Sequence, residues 1–147
     1  MESGKMHWQS VAGWSNLGGA LLGSNRDQPD EVAGGLAAVA AAVAQMQLDA
    51  LVIIGGWEAY TAAALLAQPE VRAHHAALSA LAVVLVPATI SNNCPGTHHS
   101  IGADTAVNTI VDTSDRLKQS AMASRRRVFI CETMCLSLLC PSPSALS

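Results

Sequence analysis

Three short runs of apolar, mostly β-branched residues stand out along the chain. They lie at residues 50–54, 82–86 and 128–130. Each run is continuous rather than alternating, which is typical of strands that are covered on both faces. Gly55 and Gly56 follow the first run and Pro87 follows the second, and such residues commonly mark the end of a strand. The pattern therefore predicts three strands of a parallel sheet.

Helical patterns fill the gaps between these runs. We expect helices over residues 29–46, 57–68 and 70–79, and a further one that begins near Ser100. The proline and two acidic residues at 29–31 suit the first turn of a helix. Ser100 is a suitable N-cap, Asp104 lies in the following first turn, and small and apolar residues recur every three or four positions over 107–121. Helices alternating with strands predict an α/β fold with right-handed crossovers.

The two ends of the chain differ from this middle part. Residues 1–25 are rich in Gly and Ser, and we expect Trp8 and Trp14 to anchor them. Residues 135–147 contain two prolines and no charge, so we expect an unstructured tail that does not pack on the sheet. A sheet of three strands leaves two edges that need cover, which predicts a partial, truncated doubly wound parallel sheet.

Composition narrows the class of protein. The chain has 147 residues, of which 50% are hydrophobic and 13% charged, which suits one folded domain. A formal net charge of −3 is a poor match for nucleic acid. The longest charge-free and mostly apolar run, residues 32–44, falls short of the about 20 residues that a membrane-spanning helix needs. We therefore expect a cytoplasmic protein with no nucleic-acid or membrane partner.

The cysteines are too few and too scattered for a secreted disulfide scaffold. They are Cys94, Cys131, Cys135 and Cys140. Cys94 lies near His98 and His99, and Cys131 is four residues from Cys135, but structural zinc sites usually show two tight pairs. We expect buried, reduced thiols and no metal site.

Candidate binding chemistry gathers after the second run. Ligands of open parallel sheets bind beyond the carboxyl ends of the strands. There, residues 87–97 are dense in hydroxyls and amides and lead into a predicted helix N-terminus, which favours anions. Arg26 and the arginines at 125–127 offer guanidinium groups for phosphate. The set suits a phosphorylated, hydroxyl-rich small molecule such as a sugar phosphate.

Each of these features also has an ordinary structural interpretation. Serine and asparagine are common in turns, and arginine runs usually lie at the surface. Gly55–Gly56 lacks the further glycines of a nucleotide-binding loop, and His74 and His75 suit an exposed helix face. The residue types alone leave both interpretations open.

Longer segments carry a resemblance to a known family. They are residues 14–26, 51–60, 87–97, 100–106 and 126–134. In this order and spacing they closely resemble ATP-dependent 6-phosphofructokinase, and in particular the C-terminal half of the duplicated eukaryotic enzyme. The resemblance implies a Rossmann-type three-layer sandwich and a glycolytic kinase. Such an enzyme converts fructose 6-phosphate and ATP to fructose 1,6-bisphosphate with magnesium, in the cytoplasm and as a homo-oligomer.

The resemblance further implies the regulatory half of that enzyme. In the catalytic half an aspartate that helps hold magnesium follows the glycine pair, and Trp57 stands at that position here. Ser91 occupies the place of the family's proton-accepting aspartate. Phosphoryl transfer needs metal-held phosphates and an oriented nucleophile, which an indole and an unassisted hydroxyl do not supply. The resemblance thus implies no catalytic residues, no cofactor and no kinase activity in this chain alone.

In that half, the degenerate active site binds the activator fructose 2,6-bisphosphate. The residues that match its binding positions are Arg26, Thr89, Ile90, Ser91, Asn92, Asn93, Arg127 and Met134. The implied partners are fructose 2,6-bisphosphate or other fructose phosphates, and further phosphofructokinase chains. Two alternatives stay open: a non-functional truncated gene product, and a kinase that is active only when a partner chain supplies the catalytic acids.

The resemblance divides the chain into three parts. Residues 1–25 form a lead-in segment, residues 26–134 form the partial α/β domain, and residues 135–147 form a tail that is unrelated to the family. The family continues with a glycine pair after Met134, where this chain has Cys135 and Leu136. We therefore expect a fragment of the regulatory half.

Overall fold

The computed structural model describes residues 6–123 and 127–133. Two short 3-10 helices, at Trp8–Val11 and Trp14–Asn16, precede the main elements. These are α1 (Gly35–Met46), β1 (Ala50–Gly55), α2 (Trp57–Ala67), α3 (Pro69–His74), α4 (Ala76–Ser79), β2 (Ala82–Pro87) and α5 (Ala103–Ala123). None of these helices is both long and apolar enough to cross a membrane.

The two strands lie side by side and run parallel, in register from Ala50 beside Ala82 to Gly55 beside Pro87. Three helices, α2 to α4, connect them, as the crossover between parallel strands requires. The first two predicted strands and their parallel direction are confirmed. Because the strands are parallel and in register, both end at one edge of the sheet, called here the carboxyl edge.

A small hydrophobic core covers one face of this sheet. Its buried members come from α1, α2, α4 and the residue just before β2, and they are Ala40, Val43, Leu66, Leu78 and Leu81. Leu51, Ile53 and Val83 of the strands pack against this cluster. On the opposite face Val52, Ile54 and Val84 are each more than half exposed. The expectation of strands covered on both faces is therefore wrong for the described residues, because the contacting helices lie on one side.

The third predicted strand does not form. Residues 127–133 have no regular secondary structure, and Val128 and Ile130 are 87% and 96% exposed. A three-residue run joins a sheet only if the preceding helix returns it to a strand edge. Since α5 does not pack closely on β1 or β2, it leaves residues 128–130 in solvent.

The first helix begins later than its sequence predicts. Residues 29–34 form turns, and α1 starts at Gly35 after Gly34 in the left-handed region, with φ 71°. A Cβ at Gly35 would clash with the Pro29 carbonyl oxygen, so the chain reverses there with no room for a side chain. This glycine-dependent reversal places Asp30 and Glu31 in a turn, and their predicted role in the first helical turn is wrong.

The predicted break near Pro69 is confirmed. Gln68 ends α2 in an extended conformation, as the residue before a proline prefers, and Pro69 opens α3. His75 separates α3 from α4. Arg72 then ties this region together, because its Nε donates to the Leu66 carbonyl and its guanidinium NH2 donates to the Leu81 carbonyl, both at 3.1 Å.

Replacing Arg72 by methionine is expected to lower the free energy of unfolding by about 1.5 kcal/mol, the lower end for hydrogen bonds from charged groups, since this side chain is half-exposed. Methionine keeps the apolar stem and removes both donors. Urea unfolding followed by circular dichroism measures the loss. Lys118→Met, on the exposed surface of α5, is the matched control, and equal stability of the two variants would contradict this role.

The last helix and the lead-in correct two smaller predictions. Helix α5 begins at Ala103, whose N–H donates to the Ser100 carbonyl, so Ser100 is not its N-cap. Asp104 does lie in the first turn, as predicted. Trp8 is 92% exposed and does not anchor the lead-in to the described part of the fold, whereas Trp14 is half-buried. The predicted tail at 135–147 lies outside the described residues.

Candidate functional site

The candidate site lies at the carboxyl edge, where the turns after β1 and β2 touch. Gly56 precedes α2, and a Cβ placed on it would lie 3.1 Å from the Cβ of Thr89, which follows β2. That spacing is tighter than ordinary side-chain contact, so a Cβ at Gly56 would require the Thr89 side chain to shift by a few tenths of an ångström. The glycine pair thus allows Thr89, one of the predicted site residues, to lie directly against the end of β1.

The loop after β2 returns to its own starting point. The Thr89 N–H donates to the Ile101 carbonyl at 3.0 Å, and the Ile101 N–H donates to the Pro87 carbonyl at 2.9 Å. Ala88 and Ile101 consequently form an isolated parallel bridge. Residues 89–101 therefore form a closed loop, called here the edge loop, and α5 starts beside Thr89.

Asn92 shapes the inside of the edge loop. Its backbone is left-handed, with φ 49°, a conformation that asparagine tolerates better than most residues. Its Oδ1 accepts the Ser100 N–H at 2.8 Å, and its Nδ2 donates to the His98 carbonyl at 3.0 Å. The Thr89 hydroxyl accepts the Ser91 N–H at 3.1 Å. The side chain of Asn92 is thus committed to holding the loop closed.

The structure brings the five consecutive predicted residues of this loop together. Thr89, Ser91 and Asn92 are half-buried, and Ile90 and Asn93 are exposed. Ser100, deeper in the loop, is buried, and its hydroxyl has no hydrogen-bond partner among the described residues. The loop accordingly presents several hydroxyl and amide groups close to one another at the carboxyl edge.

Arg127 lies far from the edge loop within this chain. Its guanidinium NH1 donates to the Ser120 hydroxyl at 3.3 Å, near the end of α5. A helix rises about 1.5 Å per residue, so Ser120 is about 26 Å along the axis from Ala103 at the other end. One sugar phosphate cannot reach both places in a single chain. Arg125, Arg126 and Met134 lie outside the described residues.

Arg26 belongs to an exposed segment. Gln28, two residues further along the chain, attaches this segment to the carboxyl edge. The Gln28 Nε2 donates to the Glu58 carbonyl at 3.0 Å, and its Oε1 accepts from the Thr61 hydroxyl at 3.2 Å. Glu58 and Thr61 lie in the first turns of α2, which starts at this edge. Sequence reasoning missed Gln28, because a single glutamine in a turn-rich segment gives no signal of a contact thirty residues away.

Cys94 is a buried part of the edge loop. Burial, and then the negative charge of Glu58, raise the pKa of its thiol above the ordinary value, so the thiol stays protonated near neutral pH. The influence of Glu58 also indicates that the start of α2 and the edge loop are close. The expected buried, reduced thiol is confirmed for Cys94, but it is wrong for Cys131, which is exposed. Cys135 and Cys140 lie outside the described residues.

The described residues show no grouping of three or more histidine, cysteine or acidic side chains that could hold a metal ion. At the position after the glycine pair the Trp57 ring leans on Tyr60, with ring centroids 5.6 Å apart. Magnesium takes oxygen ligands, and the indole offers none. Trp57 therefore supplies no magnesium ligand at this position.

Taken together, two parallel strands joined through helices, with polar turns meeting beyond their carboxyl ends, define an α/β protein of the type that binds small ligands at the strand ends. The phosphofructokinase family model matches residues 1–135, and the chain belongs to that family. The family resemblance predicted from the sequence is thereby confirmed.

Curated relatives agree with this assignment. The chain is 49% identical over 127 residues to the platelet-type ATP-dependent 6-phosphofructokinase of Mus musculus, which covers 86% of this chain and 15% of that protein. It is 44% identical over 133 residues to the ATP-dependent 6-phosphofructokinase of Schistosoma mansoni, covering 90% of this chain and 16% of that protein. The chain thus spans about one-sixth of the length of these relatives.

Solved structures show the same fold. The T-state phosphofructokinase of Pichia pastoris superimposes with a TM-score of 0.73 at 36% identity, covering 81% of this chain and 13% of that chain. The phosphofructokinase of Saccharomyces cerevisiae gives a TM-score of 0.72 at 38% identity, covering 79% and 15%. The predicted α/β fold class is confirmed.

Proposed function

We propose that this chain is part of the allosteric half of an ATP-dependent 6-phosphofructokinase and binds fructose 2,6-bisphosphate or a related fructose phosphate. The observation that carries this proposal is the edge loop, which gathers residues 89–93 against the glycine pair in a chain of this family. The conversion of fructose 6-phosphate to fructose 1,6-bisphosphate belongs, on this proposal, to the whole glycolytic enzyme in the cytoplasm.

The chemistry of the edge loop supports a sugar ligand. Hydroxyl and amide groups such as those of Thr89 and Asn93 pair with sugar hydroxyls, since each can donate or accept. The N-terminus of α5 follows the loop directly, and although the Ala103 N–H donates to the Ser100 carbonyl, the positive end of the helix dipole at this start favours phosphate. A phosphorylated sugar would satisfy both sets of groups.

The two arginines of the proposed site play different parts. Arg26 lies two residues before Gln28, whose Nε2 donates to the Glu58 carbonyl at the start of α2, so it is the proposed phosphate partner from the same chain. Arg127 lies about 26 Å along α5 from Ala103, so it joins the same ligand only when a second chain supplies it. The proposed site is therefore shared between phosphofructokinase chains, with Met134 as its remaining predicted member.

Calorimetric titration with fructose 2,6-bisphosphate tests this function. Arg26→Ala removes one charge-assisted contact to phosphate and is expected to weaken binding roughly tenfold to a hundredfold. Arg116→Ala, which removes the same charge from the exposed surface of α5, is expected to leave the affinity unchanged.

Two outcomes would contradict the proposal. If the wild-type protein binds fructose 2,6-bisphosphate no more tightly than inorganic phosphate, the proposed function is wrong. If Arg26→Ala and Arg116→Ala weaken binding of fructose 2,6-bisphosphate equally, the effect comes from the loss of net positive charge, and Arg26 is not part of the site.

A further inference from the structure

Positive charge is scarce near the carboxyl edge. Arg26 is the only lysine or arginine between residues 6 and 71. Arg72 is occupied by the carbonyls of Leu66 and Leu81, near the opposite end of β2. Arg116, the first basic residue of α5, lies about 20 Å along that helix from Ala103. Among the lysines and arginines of the described residues, Arg26 is therefore the candidate partner for an anionic ligand at the edge loop of one chain.

The segment that carries Arg26 has few attachments of its own. Residues 15–27 are exposed throughout, and the first half-buried residues after them are Gln28 and Pro29. The Gln28 carbonyl accepts the N–H groups of Glu31 and Val32, at 3.2 and 3.3 Å. Gln28 is thus the point at which the exposed lead-in meets the folded part of the chain.

The side chain of Gln28 fixes this point to the start of α2. Its Nε2 donates to the Glu58 carbonyl at 3.0 Å. The Thr61 hydroxyl shares its single proton between the Gln28 Oε1 at 3.2 Å and the carbonyls of Trp57 and Glu58. The donor bond from Nε2 is consequently the main link, and we call this arrangement the Gln28 clasp.

The clasp lies on the same side of the molecule as the edge loop. Helix α2 follows Gly56, which touches Thr89, and the charge of Glu58 acts on Cys94 in the loop. Two residues of extended chain span about 7 Å, so the Cα of Arg26 stays within that distance of the Cα of Gln28.

We infer that Gln28 is a positioning residue, which holds Arg26 where the phosphate of a sugar phosphate binds. This inference rests on the proposed function. Binding orders groups that are free beforehand, and a side chain that is already held in place loses less entropy on binding. Without the clasp, the exposed segment would leave Arg26 free to move, and each binding event would have to order it.

A double-mutant titration tests this role. Gln28→Met keeps the length of the side chain and removes its donor and acceptor, and Gln45→Met on the exposed face of α1 is the matched control. We expect Gln28→Met to weaken binding of fructose 2,6-bisphosphate about fivefold, which is less than the loss expected for Arg26→Ala. In the Arg26→Ala background the same change is expected to have no further effect. Equal weakening in both backgrounds, or none in either, would overturn the inference.

A second readout does not depend on the ligand. Trypsin cleaves after Arg26, and release of the clasp is expected to speed this cleavage several-fold in Gln28→Met but not in Gln45→Met. Equal cleavage rates in the two variants would show that the Gln28 clasp does not restrain the segment around Arg26, independently of any ligand binding. If Gln28→Met is cleaved faster than Gln45→Met but the wild-type protein binds no fructose 2,6-bisphosphate, the clasp is retained and both the positioning role and the proposed function are rejected.

Discussion

The purified chain, supplied with ATP, magnesium and fructose 6-phosphate, is expected to make no fructose 1,6-bisphosphate. Trp57 stands after the glycine pair with its ring against Tyr60, and an indole provides no oxygen ligand for magnesium. By the family resemblance, Ser91 stands in place of the proton-accepting aspartate, and a positioned base contributes roughly 10²–10⁴-fold to a reaction rate. The two deficits are independent, so they multiply.

A coupled enzyme assay on protein free of host kinase measures this outcome. Ser91→Asp restores an acceptor but not the magnesium ligand, so we expect it to remain inactive, and Trp57→Asp is expected to fail for the converse reason. Turnover in the wild-type chain in the range of about 1–10³ s⁻¹, typical of enzymes, would defeat the assignment to the regulatory half. Activity that arises only on mixing with a second chain would favour the alternative in which a partner supplies the acids.

Replacing Leu78 by alanine is expected to destabilise the fold more than any other single change considered above. Leu78 is fully buried at 0% exposure, in a core of five buried residues between α1, α2, α4 and β2. Truncating a buried leucine costs about 2–5 kcal/mol, because the lost contacts leave a cavity that neighbours fill only in part. Folded domains are stable by roughly 5–15 kcal/mol, so this loss removes a large share of the total.

Denaturant unfolding by circular dichroism gives the size of the effect. Leu22→Ala is the matched control, since that leucine is 65% exposed and is expected to change stability by less than about 0.5 kcal/mol. Similar midpoints for the two variants would show that the cluster around Leu78 does not hold the fold together.

The two strands were predictable because each is a continuous apolar run that ends in glycine or proline. The late start of α1 was not predictable from the sequence. It depends on the close approach of Gly35 to the Pro29 carbonyl, and the local sequence pattern places both residues in one helix. Residues 128–130 have the composition of a strand, but composition does not decide whether α5 returns them to a sheet edge. The local preferences of the residues thus predicted whether a segment forms a helix or a strand better than they predicted where the element begins or whether a strand joins the sheet.

The candidate site was predictable in the edge loop, where consecutive residues stay together whatever the rest of the chain does. The side-chain roles were not. The family resemblance implies a ligand-binding role for Asn92, whereas in the structure its carboxamide holds the loop closed. Arg127 was grouped with the loop by resemblance, but the length of α5 separates them. Gln28 reaches α2 across thirty positions, a distance over which a single sequence carries no pairing information.

The uncovered face of the sheet bears on how the isolated chain behaves in a test tube. Val52 lies beside Val84 and Ile54 beside Val86, and within the described residues neither β1 nor β2 has a second neighbouring strand. Exposed strand edges next to an apolar face are templates for aggregation. The yield of soluble protein will consequently fall as concentration rises, and threonine at Val52 and Val84 would keep the β-branched shape while making that face wettable.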